Sequence, residues 1–300
     1  MNHVDCPRLP AGSGYENLMK LPKKFEPLVQ NGVVDEVVSQ LMSGKEAEVY
    51  VVMSRGELCC AKVYKDAEHR SFSSQARYQE GRKVKNSRQA RAMGKHSKFG
   101  RKEQEGAWQN AEVDALQRLA AVGVRVPKIY SYTDGVLLME LVVDEQGNNA
   151  PRLNDVRLTA DQAREYHRTL IAQIVLMLCA GLVHGDLSEY NVLVGSDGLV
   201  IIDLPQAIDA AGNNNAAGML VRDVANMTAY FGRFAPELLD TDYGREIWKL
   251  YATGELTPEN ILTGYFEQSS IPADVRGVLR EIEAAQRWHE LTLARAQKHG

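Results

Sequence analysis

The feature that most constrains the fold is a change in hydrophobic periodicity along the chain. Residues 33–64 contain three short runs rich in β-branched and aromatic side chains, separated by turn-forming residues, and these runs predict three strands. After Gly147 the apolar residues recur at helical spacing, and Thr159 is suited to cap the first long helix. A β-rich part followed by a helix-rich part indicates an α+β protein of two lobes, with its site in the cleft between them.

The same patterns predict how the chain is organised. We expect an N-terminal arm at 1–32, an N-lobe at 33–143 with a basic flexible insertion at about 66–106, and a helical C-lobe at 144–300. Further strands are predicted at 128–132, 136–143, 191–194 and 199–202, and helices at 108–122, 159–180, 217–231, 236–251, 258–266 and 272–298.

The composition favours a cytoplasmic protein without a membrane partner. No apolar run approaches the roughly 18 residues that a membrane-spanning helix requires. Residues 1–10 lack the apolar region of a secretory signal. The four cysteines show no pairing pattern, which favours free thiols in a reducing compartment.

The charge is unevenly distributed. The segment 65–102 contains 12 Lys/Arg and 3 Asp/Glu, whereas the remainder of the chain contains 23 and 36. A basic stretch with few large apolar residues suits contact with a phosphate backbone, so RNA or a ribosomal particle is the candidate partner. The alternative interpretation is a solvated loop that becomes ordered near a bound nucleotide.

The strongest chemical signal is the sequence His-Gly-Asp-Leu-Ser-Glu-Tyr-Asn at residues 184–191, followed 12 residues after Asn191 by Asp203. Phosphoryl transfer needs in-line positioning and neutralisation of phosphate charge by a divalent cation. One loop carrying Asp186 and Asn191 can offer a catalytic carboxylate to the acceptor hydroxyl and an amide oxygen to Mg²⁺. Asp203, at the end of an apolar strand, would complete the set of oxygen ligands. The alternative role of Asp186 and Asn191 is turn formation.

A second set of residues fits the phosphates of ATP. Ser43, Gly44, Lys45 and Val49 lie in and after a turn between two predicted strands, where a hydroxyl and backbone N–H groups can contact phosphate. Such a turn is common in hairpins and does not match the Walker A pattern. Lys62, on the third predicted strand, would be costly to bury without a partner and suits a phosphate contact. Its alternative role is that of an edge-strand lysine whose ammonium group reaches solvent.

The remaining candidates are a partner for this lysine and a contact for the adenine base. Glu112, on the helix predicted at 108–122, is the candidate partner, with a solvated helix face as the alternative. Met139, Glu140 and Val142 lie where an apolar strand runs into the polar connector between the lobes. In a nucleotide-binding protein of two lobes, backbone groups at this position are expected to contact the adenine edge.

Together these residues resemble the RIO family of atypical protein kinases, and specifically its first subfamily. The loop at 184–191 matches the family motif H-G-D-L-S-E-Y-N at every position, and residues 42–50 resemble S-T-G-K-E-A-x-V-Y. Residues 201–206 resemble the metal segment I-I-D-x-x-Q, and residues 220–226 resemble the helix that carries R-D-x-x-N. The resemblance covers roughly residues 33–234.

The resemblance implies a bilobal protein-kinase-like fold without a conventional activation loop. It implies that Asp186 is the proton acceptor, that Asn191 and Asp203 bind Mg²⁺ or, in its place, Mn²⁺, and that Lys62 binds ATP. It also implies that Asp203 can accept a phosphoryl group. Met42 and Ser43 replace the family's Ser-Thr pair, so the phosphate contacts of this loop are expected to differ.

Three functions remain open on this basis. The first is a serine/threonine protein kinase with an unidentified protein substrate and autophosphorylation. The second is an ATPase that times the assembly of a ribonucleoprotein, although the family's longer tails linked to ribosome assembly are not recognisable in this sequence. The third is a small-molecule phosphotransferase, because aminoglycoside kinases resemble the H-G-D-x-x-x-x-N pattern. The Ser-Glu-Tyr within the loop weighs against the third.

Overall fold

The computed structural model describes residues 23–44, 46–65 and 111–267 of the 300-residue chain. By its internal contacts the chain divides into two units, 1–265 and 266–300, and the helices and strands described below belong to the first unit. The basic insertion expected at 66–106, Lys45, and the helix predicted at 272–298 lie outside the described residues.

The N-terminal part is built on five antiparallel strands: β1 (Glu36–Ser43), β2 (Ala47–Ser54), β3 (Glu57–Tyr64), β4 (Ile129–Thr133) and β5 (Val136–Glu140). Their order in the sheet is β1-β2-β3-β5-β4. The strands predicted from sequence are confirmed, although β1 begins at residue 36 rather than 33 and β5 ends at residue 140 rather than 143. Because β3 is central, Lys62 lies between Val49 of β2 and Leu137 of β5.

Both faces of this sheet are covered. On one face, α1 (Glu26–Gln30) follows a 3₁₀ turn at Lys23–Phe25 and buries Phe25 and Leu28 against side chains of β2, β3 and β5. Two large apolar side chains therefore attach this part of the expected N-terminal arm to the sheet. On the opposite face, Tyr64 and Leu137 join the main core of the protein.

A helix, α2, covers residues 111–121 and precedes β4. The C-terminal part contains α3 (Ala160–Cys179), α4 (Ala216–Gly232) and α5 (Tyr243–Thr253), with short strands β6 (Leu182–Val183), β7 (Val192–Gly195), β8 (Gly198–Ile201) and β9 (Ile208–Asp209). Strand β6 pairs with β9, and β7 pairs with β8. The predicted cap of α3 is confirmed, because the Thr159 hydroxyl accepts from the Gln162 N–H and the Gln162 side chain accepts from the Thr159 N–H. Within the described ranges, no helix is long and apolar enough to cross a bilayer.

Two helix predictions near the C-terminal end are wrong. The helix predicted at 236–251 is divided into a 3₁₀ helix (Pro236–Asp240) and α5, because Asp242 has a non-helical backbone and its carboxylate caps α5 at the Arg245 N–H. The segment predicted as a helix at 258–266 is irregular. There the Glu246 carboxylate accepts the Thr263 and Gly264 N–H groups, and Gly264 has a left-handed φ of 71°. Both features are incompatible with a continuous helix.

Candidate active site

The loop at 184–191 connects β6 to β7, and two side chains of α4 bind its backbone. The Gly185 N–H donates to the buried Asp223 carboxylate at 2.7 Å, and the Arg222 guanidinium contacts the Gly185 carbonyl. Gly185 itself has a φ of 83°, a conformation that favours glycine. His184 places Nε2 at 3.1 Å from the Ile202 carbonyl oxygen, which ties the loop to the segment that follows β8.

Asp186 and Asn191 lie five residues apart in this loop, where Asp186 is exposed and Asn191 is half-buried. The Asn191 Nδ2 donates to the Asp186 carbonyl oxygen at 2.8 Å. This bond uses the donor end of the amide, so the Oδ1 atom is the end suited to a cation. The pKa of the Asp186 carboxyl is raised, chiefly because the group is partly buried, and the nearby Asp203 carboxylate adds to the rise. The positive charges of His184 and Arg222 act in the opposite direction but do not outweigh burial. The sequence predicted that one loop carries both side chains, and the structure places both in the loop between β6 and β7.

Lys62, Glu112 and Asp203 form an ion cluster. The Lys62 Nζ lies 2.7 Å from Glu112 Oε1 and 2.7 Å from Asp203 Oδ1. Lys62 and Glu112 are buried, whereas 48% of the Asp203 side-chain area is accessible. Burial would lower the pKa of Lys62, but the two carboxylates outweigh it and the pKa is raised. Burial likewise opposes ionisation of Asp203, yet the charge and hydrogen bond of Lys62 hold its pKa below the ordinary value.

The turn between β1 and β2 is braced by a carboxylate. The Ser43 hydroxyl donates to Glu48 at 3.3 Å, and the Lys65 Nζ lies 3.4 Å from the same carboxylate. The Gly44 N–H donates to the Ala47 carbonyl at 2.9 Å, which closes the turn. Val49 pairs in register with Lys62 across β2 and β3, so this turn leads directly into the strand that borders Lys62.

The connector after β5 is fixed through Glu140. Its carboxylate accepts from both terminal nitrogens of Arg125, at 2.7 and 2.8 Å, and its N–H donates to the Lys128 carbonyl at 2.8 Å. Arg125 also donates to Asp197, in the turn between β7 and β8, at 2.7 Å. The side chain and amide of Glu140 are therefore committed to holding the connector. Met139, at the end of β5, is half-buried, and Val142 is buried.

Sequence reasoning did not single out three residues that the structure places at this site. Asp223 anchors the loop at 184–191, Tyr64 contacts Glu112, and Arg152 contacts the Met42 sulfur of β1. The Arg152 backbone bridges Leu193 of β7, and its charge contributes to lowering the pKa of Asp203. Only Asp223 could have been found from the sequence, because it lies in the stretch resembling R-D-x-x-N. The contacts of Tyr64 and Arg152 join segments that are far apart in the chain, and no spacing rule predicts them.

Comparisons with known proteins identify the family. The family model for the RIO domain matches residues 48–243. A RIO-type serine/threonine-protein kinase, Rio1, of Haloferax volcanii is 35% identical over 216 residues, which cover 69% of this chain and 67% of that protein. The human serine/threonine-protein kinase RIO1 is 27% identical over 236 residues, covering 78% of this chain and 39% of that protein. The chain thus spans about two fifths of the length of this human relative.

Solved structures show the same fold. A Rio2 kinase of Chaetomium thermophilum, crystallised as an ADP/Mg²⁺-phosphoaspartate complex, has a TM-score of 0.51 and 19% identity, and the match covers 77% of this chain and 70% of that one. A second structure of Rio2 kinase from the same organism has a TM-score of 0.51 and 17% identity, covering 89% and 76%. The predicted α+β kinase-like fold is confirmed. With its RIO domain and the 35% identity to an archaeal relative, this chain belongs to the RIO-type serine/threonine-protein kinase family.

Proposed function

We propose that this chain transfers the γ-phosphoryl group of ATP, with Mg²⁺, to serine or threonine hydroxyls of a protein, including its own. The observation that carries the proposal is the position of Lys62, which joins Glu112 and Asp203 at 2.7 Å each. This ammonium group is thereby held at the junction of β3, α2 and the segment after β8. A buried, fully charged lysine beside an accessible carboxylate suits the binding of a polyphosphate with its cation.

The residues present fit a divalent cation. The Asp203 carboxylate and the Asn191 Oδ1 are hard oxygen donors, and the low pKa of Asp203 keeps its carboxylate ionised. When bound, Mg²⁺ would neutralise phosphate charge. Among the described residues no group of three His, Cys, Asp or Glu side chains is gathered as a metal cage. A site with two protein ligands is what a cation shared with substrate phosphates requires. Mn²⁺ has the same preference for oxygen and is proposed as a substitute.

Asp186 is proposed as the proton acceptor. Its carboxylate is accessible and burial raises its pKa, so it is a better base than an ordinary aspartate. The hydrogen bonds from the Gly185 N–H to Asp223 and from the Asn191 Nδ2 to the Asp186 carbonyl keep the loop backbone in one conformation. The acceptor hydroxyl would approach this carboxylate, which takes up the proton as the oxygen–phosphorus bond forms.

The other proposed binding residues are those named from the sequence. Ser43, Gly44 and Lys45 are proposed to cover the phosphates, with Val49 lining the site from β2. The adenine base is proposed to lie against Met139, Glu140 and Val142. Glu140 would act by holding the connector through its hydrogen bonds with Arg125. Arg152, which contacts Met42, is proposed as a further cation near the phosphates.

The test is incubation of purified protein with γ-labelled ATP and Mg²⁺, alone and with a general protein acceptor such as casein. Label on seryl or threonyl residues of the chain or of the acceptor supports the proposal. Label on an added aminoglycoside instead of protein would assign the chain to the small-molecule phosphotransferases. Absence of any transfer and of any ATP hydrolysis would contradict the proposed function.

A second candidate function is an ATPase cycle through Asp203. Its side chain is accessible over 48% of its area and its backbone has a φ of 64°, which is uncommon outside glycine. In this cycle the carboxylate oxygen would attack the γ-phosphorus with departure of ADP, and water would later release phosphate. An acyl phosphate is cleaved by hydroxylamine, whereas phosphoserine is not, so hydroxylamine-sensitive label on the chain would favour this cycle.

The proposed partner is RNA or a ribosomal particle, contacted by the basic segment 65–102. The support is its charge composition alone, because all of it except Lys65 lies outside the described residues. The division into an arm at 1–32, an N-lobe at 33–143 and a C-lobe at 144–300 likewise stands as a proposal. The protein substrate is unidentified.

A further inference from the structure

Glu112 uses both of its carboxylate oxygens inside the protein. Oε1 accepts from the Lys62 Nζ at 2.7 Å, and Oε2 accepts from the Tyr64 hydroxyl at 2.5 Å. Glu112 is 2% exposed and Tyr64 is fully buried. A buried carboxylate is stable only when both of its oxygens accept hydrogen bonds. Lys62 pairs with Oε1 alone, and the Tyr64 hydroxyl supplies the bond to Oε2.

The geometry of β3 brings both donors to the same carboxylate. Lys62 and Tyr64 are two residues apart on one strand, so their side chains leave the same face of the sheet. The Lys62 Nζ lies 5.6 Å from the centre of the Tyr64 ring, a favourable cation–π distance. Glu112, on α2, therefore faces two neighbouring donors whose spacing is set by the strand.

Tyr64 is itself held firmly. Its N–H donates to the Gly135 carbonyl at 3.0 Å, its carbonyl accepts from Lys24, and its ring packs edge-on against Tyr132 at 6.4 Å. A side chain fixed at backbone and ring can orient a more flexible neighbour. Glu112 has three rotatable side-chain bonds, and a single partner would leave its carboxylate free to turn.

We propose that Tyr64 is a positioning residue of the nucleotide site, whose hydroxyl orients Glu112 so that Glu112 holds Lys62 where the phosphates bind. This inference rests on the proposed function, because it assigns to Lys62 the role of contacting ATP. Tyr64 does not touch the nucleotide; it acts through Glu112. The bond also joins Tyr64 of β3 to Glu112 of α2, which are 48 residues apart in sequence.

The test compares Tyr64→Phe with Tyr230→Phe. Tyr230 is a matched control, since it is 3% exposed and its hydroxyl donates to the Leu153 carbonyl at 2.5 Å, away from the ion cluster. Both variants keep the ring and lose one buried hydrogen bond. We expect Tyr64→Phe to raise the Kd for ATP–Mg²⁺ about fivefold to tenfold, the scale of one typical hydrogen bond, and Tyr230→Phe to leave it unchanged. Equal Kd values for the two variants would overturn the inference.

A double-mutant cycle tests the route through Glu112. We expect Glu112→Gln to weaken ATP binding and the Tyr64→Phe/Glu112→Gln pair to weaken it no further, because the hydroxyl then has no carboxylate to orient. Additive losses would show that Tyr64 acts elsewhere. Labelling of Lys62 by an ATP acyl-phosphate probe, followed by peptide mass spectrometry, reports on the folded fraction even if a variant is unstable. Unchanged labelling in Tyr64→Phe would also contradict the inference.

These measurements distinguish failure of the positioning role from failure of the proposed function. If the unmodified protein binds no ATP, the proposed function fails. If it binds ATP and Lys62→Ala weakens binding while Tyr64→Phe does not, only the positioning role fails.

Discussion

Lys62 and Asp203 are 141 residues apart in the chain, and their side chains are 2.7 Å apart in space. The contact joins the central strand of the N-terminal sheet to the segment that follows β8. Because Lys62 also holds Glu112, one ammonium group connects three separate elements. A buried ion pair seldom stabilises a fold more than well-packed apolar residues would. Stability alone therefore does not account for Lys62 at this position, and a role in binding does.

Replacement of Lys62 tests its contact with ATP. Lys62→Ala removes a positive charge from the phosphate site and leaves two carboxylates facing each other, so we expect at least tenfold weaker ATP binding and slower turnover. Lys62→Arg should restore binding only in part, because a planar guanidinium does not fit a site built for a compact ammonium. ATP titration of the three proteins is the measurement, and an unchanged Kd in Lys62→Ala would remove the lysine from the site.

Asp186 and Asp203 are expected to differ in which step they affect. Asp186→Asn should lower turnover by about 10²–10⁴-fold, the usual contribution of a general base, while ATP binding stays nearly normal. Asp203→Asn should weaken Mg²⁺-dependent ATP binding as well as turnover, because it removes a cation ligand. Asp240→Asn, an exposed aspartate outside the proposed site, is the control. Normal turnover in Asp186→Asn would show that another group accepts the proton.

Arg125 is expected to stabilise the connector between the two parts of the site. Arg125→Met breaks its paired hydrogen bonds to the half-buried Glu140 and its contact with the exposed Asp197. We expect a loss of about 1–3 kcal/mol in the free energy of unfolding, as for hydrogen bonds between charged groups. Urea unfolding is the measurement. Arg168→Met, which removes an exposed pair with Glu165, should leave the unfolding curve unchanged, and equal curves for the two variants would contradict the prediction.

His167 is expected to make the fold less stable in acid. Burial lowers its pKa from 6.5 to about 4, and its ring lies at 3.1 Å from the Thr228 hydroxyl. The folded state therefore prefers neutral histidine, so this contribution is complete above pH 6.5 and is lost as pH falls towards 4. At about 1.4 kcal/mol per pKa unit, the full loss is about 3 kcal/mol. His167→Gln should show a smaller loss of unfolding free energy between pH 7.5 and pH 4.5; equal losses would disprove the assignment.

The basic segment at 65–102 is expected to bind RNA in a salt-dependent manner. Affinity from phosphate contacts on single strands falls with a log–log slope of roughly −0.7 per phosphate, so four contacts predict about fifty-fold weaker binding between 50 and 200 mM salt. Reversal of Arg82, Lys83, Lys85 and Arg88 to Glu should abolish binding while basal ATP turnover is kept. If RNA binding responded to neither salt nor these substitutions, the prediction would be wrong and the solvated-loop interpretation of the segment would be favoured.

Much of the architecture was predictable because local signals agreed with the fold. The strands of the N-terminal sheet followed from β-branched runs and turns, and α3 from its capping threonine and apolar stripe. The errors arose where side chains override propensity. The helical pattern at 236–251 is interrupted by the cap at Asp242, and the pattern at 258–266 by the Glu246 carboxylate, which binds that segment from α5.

The sequence by itself placed the candidate catalytic residues: Asp186 and Asn191 share one short loop because they are five residues apart, and Asp203 follows two residues after the end of β8. Proximity in the chain sufficed for that. Only the tertiary structure decided which partners meet across the fold. Lys62 lies 50 residues from Glu112 and 141 from Asp203, and the Tyr64 hydroxyl reaches Glu112 from 48 residues away. Such contacts depend on how the sheet, α2 and the β7–β8 hairpin pack together, and periodicity along the chain carries no record of that packing.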